Sequence, residues 1–259
     1  MSGSEPLFPQ TGAALVIGGS GGVGSVICQL LARDGCDVAL SYFSNAAKAE
    51  ASAEAVRALG RRASTHQINI ELTEDVRSLI EVVAAEFGGI HTLVYAAGPL
   101  VPLIHLSKTE PALMKKHLLQ DTFGFYNVVH YALPHLRAAR GSVVAVQSAA
   151  QSRYAPADGL SVVPKSGVNA IMKGIAKEEG RYGVRANGVA LGMIDAGQQP
   201  ELIRLGYIDA AYLQAAERAV PLKSFGQPED VAEAVCYLAS RRARFVTGQM
   251  IHVDGGYHV

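Results

Sequence analysis

Five glycines crowd into the seven residues Gly18-Gly19-Ser20-Gly21-Gly22-Val23-Gly24, between an apolar run at 13–17 (AALVI) and a helical pattern at 23–33. Glycine reaches positive φ and lets another group approach the backbone without a Cβ in the way. A helix that opens straight after such a turn offers unpaired N–H groups and the positive end of its dipole to an anion. Strand, glycine turn, helix is therefore the arrangement of a diphosphate-binding βα unit. A purely structural turn is the plainer alternative.

The same alternation continues to the end of the chain. Strand-like runs recur at 37–41, 63–68, 91–95, 142–147, 185–189 and 249–253, and helical patterns fill 46–59, 74–87, 110–136, 165–182 and 228–240. Strict alternation of this kind predicts an α/β fold with a doubly wound parallel sheet and helices on both faces. The chain has 259 residues, of which 49% are hydrophobic and 18% charged, enough to bury one large core. No repeat, linker or low-complexity tract interrupts residues 1–259, so a single domain is expected. Residues 99–109 and 193–225 fit the alternation least. Both follow strands and should rise above the carboxyl edge of the sheet, where ligands bind in such folds. The longer one, with Tyr207, Tyr212 and several Leu and Ile residues, reads as a small helical lid over an apolar substrate. A packing appendage or a subunit contact is the alternative.

Charge and composition exclude several classes. With a formal net charge of zero, no long-range field draws nucleic acid or an anionic membrane. Cys28, Cys36 and Cys236 show no C-x-x-C spacing, and the eight histidines no paired-ligand spacing. Reduced thiols and no metal are the expectation. Residues 1–10 lack the order of a signal peptide, and no apolar run approaches the roughly 18 residues of a membrane span. These features point to the cytoplasm.

The spacing of Gly18, Gly22 and Gly24 is similar to the T-G-x-x-x-G-x-G turn of short-chain dehydrogenases/reductases, with Ile17 in place of the threonine. VTGQMIHVDGG (246–256) resembles that family's last strand and its flanks. QPEDVAEAVCYL (227–238) resembles the helix before it, and RYGVRANGVA (181–190) the sixth strand. The resemblance covers the chain from about Gly12 onward and implies a Rossmann fold. It also implies a nicotinamide coenzyme on Gly18, Ser20, Gly22, Val23 and Gly24, with Ala97, Gly98, Lys165, Gly192 and Ile194 along its length. Asn69 stands where relatives carry an adenine-facing aspartate. After the second strand the chain reads Ser41-Tyr42-Phe43-Ser44-Asn45, with no acid to repel a 2′-phosphate. Ser44 and Asn45 would donate to that phosphate, so NADP(H) is favoured over NAD(H).

In this family a serine, a tyrosine and a lysine act together: tyrosine moves the proton, lysine lowers its pKa and holds the ribose, and serine orients the carbonyl. The resemblance assigns the serine to Ser148 and the lysine to Lys165. The tyrosine position, four before the lysine, is Ser161, a far weaker acid than a phenol. Asp121 replaces an asparagine of the family's proton relay, Tyr95-Ala96-Ala97-Gly98 replaces N-N-A-G, and Leu191-Gly192 replaces P-G. Three readings stay open. The first is reduction of an enoyl or dienoyl thioester C=C bond, for dienoyl-CoA reductases also carry a serine four before the lysine; Tyr154 would then be the helper tyrosine. Enoyl reductases place tyrosine seven before the lysine, which here is Asp158. The second is carbonyl/alcohol redox with a displaced proton donor, either Tyr154 or a water held by Ser161 and Asp121. The third is a coenzyme-binding scaffold without turnover. Family members are dimers or tetramers, so a homo-oligomer is expected, joined along 110–136 and 165–182.

Overall fold

The central apolar runs of the sequence become strands buried on both faces, which a doubly covered parallel sheet allows, while the two edge strands are only partly buried. In a computed structural model that describes residues 5–259, the strands are β1 (Ala13–Ile17), β2 (Val38–Tyr42), β3 (Ala63–Gln67), β4 (Ile90–Tyr95), β5 (Ser142–Ser148), β6 (Arg185–Leu191) and β7 (Met250–Val253). All pair in parallel, in the order β3-β2-β1-β4-β5-β6-β7. The chain winds outward from β1 to β3 and then returns to β4 on the other side of β1. The crevice above the β1/β4 junction is the place such a sheet offers to a ligand.

Among the described residues the helices are α1 (Gly22–Arg33), α2 (Ala46–Ala58), α3 (Thr73–Phe87), α4 (Pro111–Leu118), α5 (Gly124–Ala139), α6 (Gly159–Glu179), α7 (Gln199–Arg204), α8 (Ala210–Ala219) and α9 (Pro228–Ala239). Strand side chains alternate between faces. Ala14 and Val16 of β1 join a core with Ile27 and Leu31 of α1, Val56 of α2 and Val235 of α9. Ala13, Leu15 and Ile17 join the opposite core with Leu79 of α3, Phe125 of α5 and Met172 of α6. Each fully buried aliphatic side chain contributes about 1.5–3 kcal/mol, so these two layers carry the fold. Arg185 at the start of β6 ties one of them down: its guanidinium donates to the carbonyls of Leu238, Ala239 and Ser240. These belong to the carbonyls that a helix end leaves without intrahelical partners.

Two helix expectations are corrected. Residues 110–136 are not one helix: α4 and α5 are separated by a π-helical wide turn, Leu119–Phe123. Tyr95 props this turn open, its hydroxyl donating to the carbonyls of Gln120 and Asp121 at 3.2 Å each. The other correction concerns Lys165, which lies in the second turn of α6 rather than opening it. Pro164 sits inside that helix and cannot donate to the carbonyl of Leu160. The buried His117 ring of α4 lies beside that carbonyl. The segment 193–225 contains two short helices, α7 and α8, after β6.

Candidate active site

The glycine turn is shaped by contact. Gly18 has φ +82°, and a Cβ there would lie 2.9 Å from the Ala96 carbonyl and the Ala97 nitrogen. A Cβ on Gly24 would overlap the Gly18 carbonyl oxygen. The turn is thereby pressed against the end of β4 while α1 begins directly above it. Gly21 at the N-cap of α1 offers no side-chain cap, and no acid stands in the first turn. The N–H groups there remain open to an anion.

Beside the turn lies a cleft of about 280 Å³. Of the residues the sequence singled out, Gly18, Ser20, Asn69, Ala97 and Gly98 line it. Ser41, Tyr42 and Phe43 line its far end. Ser44 and Asn45 are exposed beyond that end and outside the lining; the Asn45 side-chain oxygen accepts from Lys48 N and caps α2. Asn69 uses its side-chain oxygen on Glu71 N, which leaves its amide N–H₂ as the group to address a base. Gly22, Val23 and Gly24 form the first turn of α1 behind the lining, with Val23 packed on the core. Gly192 and Ile194 follow β6: Gly192 N donates to Val253 O, and Ile194 pairs with Gly226. Neither lines the cleft.

Behind Ala97 and Gly98, outside the lining of the cleft, the Lys165 ammonium meets three acceptors: Asp121 Oδ1 at 3.0 Å, Val146 O at 3.2 Å and Ala97 O at 3.3 Å. An ammonium has three N–H bonds, so every donor is engaged. Its charge also lies 5.6 Å from the Tyr95 ring centroid. Burial pushes the Asp121 carboxyl above its ordinary pKa against the opposing pull of Lys165. Asp121 is 5% and Lys165 14% exposed, so the pair is nearly dry.

The remaining candidates stand apart from this pair. Ser148 closes β5, and its Oγ accepts from Ala150 N at 3.2 Å, in the capping arrangement that is its plainer role. The hydroxyl proton is still available to donate. Tyr154 is 48% exposed and bonds neither Lys165 nor Asp121; its hydroxyl sits by the start of α6, 3.1 Å from where a Gly159 Cβ would be. Ser161 is half-buried one helical turn before Lys165. The structure thus joins Lys165 to Asp121 and leaves Tyr154 outside that contact.

Sequence reasoning missed several residues. Tyr95 passed as a departure from N-N-A-G, yet its hydroxyl shapes the turn that carries Asp121. Gln198 bridges the lid to residues 99–109, accepting from Val101 N at 2.9 Å and donating to Pro99 O at 2.7 Å. A second cleft, of about 340 Å³, opens beneath that bridge between Leu100, Leu113, Leu205, Tyr207 and Gln120. Gln120 borders both clefts.

The buried pair sets a stability prediction. Lys165→Met strands the Asp121 carboxylate and should cost about 3–5 kcal/mol in denaturant unfolding. Adding Asp121→Asn should restore part of it. A Lys165→Met protein as stable as the unsubstituted chain would show that the ion pair is not formed.

Comparison with known proteins agrees with this geometry. A family model described as enoyl-(acyl carrier protein) reductase matches residues 18–258. The 3-oxoacyl-acyl-carrier-protein reductase FabG of Staphylococcus epidermidis is 32% identical over 254 residues, spanning 95% of this chain and 99% of that protein. A putative ketoacyl reductase 2 of the granaticin polyketide synthase of Streptomyces violaceoruber is also 32% identical, with 97% and 98% covered. Among solved structures, a short chain dehydrogenase from Burkholderia cenocepacia in complex with NADP superposes with TM-score 0.89 at 29% identity, covering 98% of this chain and all of that one. A short-chain type dehydrogenase/reductase from Mycobacterium ulcerans gives TM-score 0.89 at 26% identity, with 97% and 91% covered. The chain belongs to the short-chain dehydrogenase/reductase family and is an NAD(P)-dependent oxidoreductase with a Rossmann fold.

Proposed function

We propose that this protein uses NADPH to reduce the carbonyl of an apolar acyl substrate, of the 3-oxoacyl thioester class. The observation that carries this reading is the cleft beside the glycine turn, lined by Gly18, Ala97 and Gly98 and sharing Gln120 with a second cleft in which Leu100, Leu113, Leu205 and Tyr207 stand beside Lys116 and His117. The glycine cradle fits the coenzyme, since a Cβ at Gly18 would fill the space where a diphosphate approaches the backbone. Gly18, Ser20, Gly22, Val23 and Gly24 would hold the diphosphate, and Asn69 the adenine. Ala97, Gly98, Lys165, Gly192 and Ile194 would hold the nicotinamide half. The coenzyme supplies the hydride. Ser148 donates its hydroxyl proton as a hydrogen bond to the substrate oxygen, and Lys165 stabilises charge there. The two residues between 193 and 225 that line the second cleft, Leu205 and Tyr207, would cover an apolar chain bound there.

The curated relatives described above are named for 3-oxoacyl or ketoacyl reduction, which moves carbonyl chemistry ahead of C=C reduction. The matching family model and Ser161 in the tyrosine position favour the second reading, reduction of an enoyl or dienoyl thioester. NADP(H) is preferred because no acid stands at Ser41–Asn45 to repel a 2′-phosphate. The backbone and side chains of Ser41, Tyr42 and Phe43, rather than Ser44 and Asn45 alone, face that end of the cleft. The cytoplasm is the compartment we assign: the three thiols are buried and free, and no helix of the described residues is long and apolar enough to cross a membrane. A homo-oligomer, dimer or tetramer, is supported by Tyr126 on α5 and Val163 on α6, with Phe123 just before α5 and Tyr182 just after α6, all exposed.

Calorimetry should show NADPH binding about tenfold more tightly than NADH, a difference of about 1.4 kcal/mol. Equal affinities would refute the preference. NADPH oxidation should proceed with a 3-oxoacyl thioester, and turnover confined to enoyl thioesters would select the second reading. Light scattering should give a mass of two or more subunits; a single-subunit mass would contradict the oligomer.

A further inference from the structure

Ser161 cannot supply a proton as a phenol would, and the acid that replaces it has a candidate one turn earlier. Asp158 caps the start of α6, yet its side chain makes no cap hydrogen bond. Asp158, Ser161 and Lys165 follow i, i+3, i+7 and so share one face of the helix. The row runs from the Lys165 ammonium, between the ends of β4 and β5, toward the lid. Ala157, just before it, holds φ +69°, a conformation unfavourable for a residue with a Cβ. Ile104 N donates to the Ala157 carbonyl at 2.9 Å, tying this strained corner to the loop over the cleft.

We propose that Asp158 is the proton donor to the substrate oxygen, taking the part that the family's tyrosine has elsewhere. This inference rests on the carbonyl reading above. Hydride passes from the reduced nicotinamide to the carbonyl carbon, and the C=O π pair moves onto oxygen. That oxygen takes the proton of the Asp158 carboxyl group. The products are the alcohol, the oxidised coenzyme and the Asp158 carboxylate, which is reprotonated by solvent.

The surroundings suit an acid that stays protonated until used. Burial raises the Asp158 carboxyl to about 7, and among the described residues no cation offsets it. Tyr212 of α8 approaches from the lid; burial raises its phenol, and the charges of Asp158 and Tyr257 raise it further. Tyr154 lies against the neighbouring Gly159, and the His117 ring of α4 faces the Leu160 carbonyl. An acid with a pKa close to the working pH is the most effective proton donor. Because the protonated form is needed, the rate of reduction should fall as pH rises through that value.

The test compares the full-length protein with Asp158→Asn and Asp158→Glu, using NADPH and a 3-oxoacyl thioester. Asp158→Asn should lower kcat about 100-fold or more, leave NADPH affinity unchanged and remove the near-neutral limb of the pH profile. Asp158→Glu should restore part of the rate together with that limb. In the protein without coenzyme, difference infrared spectra against Asp158→Asn should show a protonated carboxyl band that titrates near neutrality. Unchanged kcat and pH profile in Asp158→Asn, or a carboxylate already ionised well below neutral pH, would overturn the assignment. An unsubstituted protein that turns over no 3-oxo substrate would instead overturn the carbonyl reading, and the assignment with it.

Discussion

One ammonium group holds the two halves of this site together. Lys165 on α6 reaches the carbonyl at the end of β4, the carbonyl near the end of β5 and the carboxylate on the wide turn between α4 and α5. Without it, Asp121 would be a buried carboxylate with no partner, which a protein interior does not tolerate cheaply. The pair also fixes where α6 lies against the sheet, since the lysine is on that helix and its acceptors are on the turn and the strand ends. Tyr95 supports it from below, since its hydroxyl holds the turn that presents Asp121.

The consequences spread outward in both directions. Toward β1, Ala97 is shared between the lysine and the glycine turn, so the nucleotide side and the catalytic side meet at one peptide. On the other side, Gln198 links the start of α7 to the loop after β4 through Pro99 and Val101. A ligand that displaces one of the lysine's three acceptors would therefore be felt at the turn, the wide helix turn and the helix face together. This is a plain route by which coenzyme binding can organise the substrate side.

Much of this was legible in the sequence, for identifiable reasons. Buried parallel strands are continuous apolar runs, which marked the central strands, and the regular spacing of the alternation marked the partly exposed edge strands β3 and β7. The glycine turn was found because Gly18 and Gly24 permit contacts that no other residue would. The break at Leu119–Phe123 was hidden, because helical periodicity continues through it and its cause is a hydroxyl 25 residues earlier in the chain. The start of α6 was misplaced because Pro164 imitates a helix boundary although it lies inside the helix. Burial raises the Asp158 carboxyl, and the nearby Tyr212 lies more than fifty residues later in the chain, so no local pattern encodes that surrounding. Tyr154 resembled a replacement tyrosine in sequence, and its exposure sets it apart from the Lys165 pair.

Amide hydrogen exchange with and without NADPH tests the central claim most directly, because each segment reports separately. Protection should appear at residues 18–24, at 95–98 and across the first turns of α6, and it should extend to 193–222 as the lid settles. Protection absent from 18–24 and 95–98 under saturating NADPH would contradict a coenzyme site organised around Lys165.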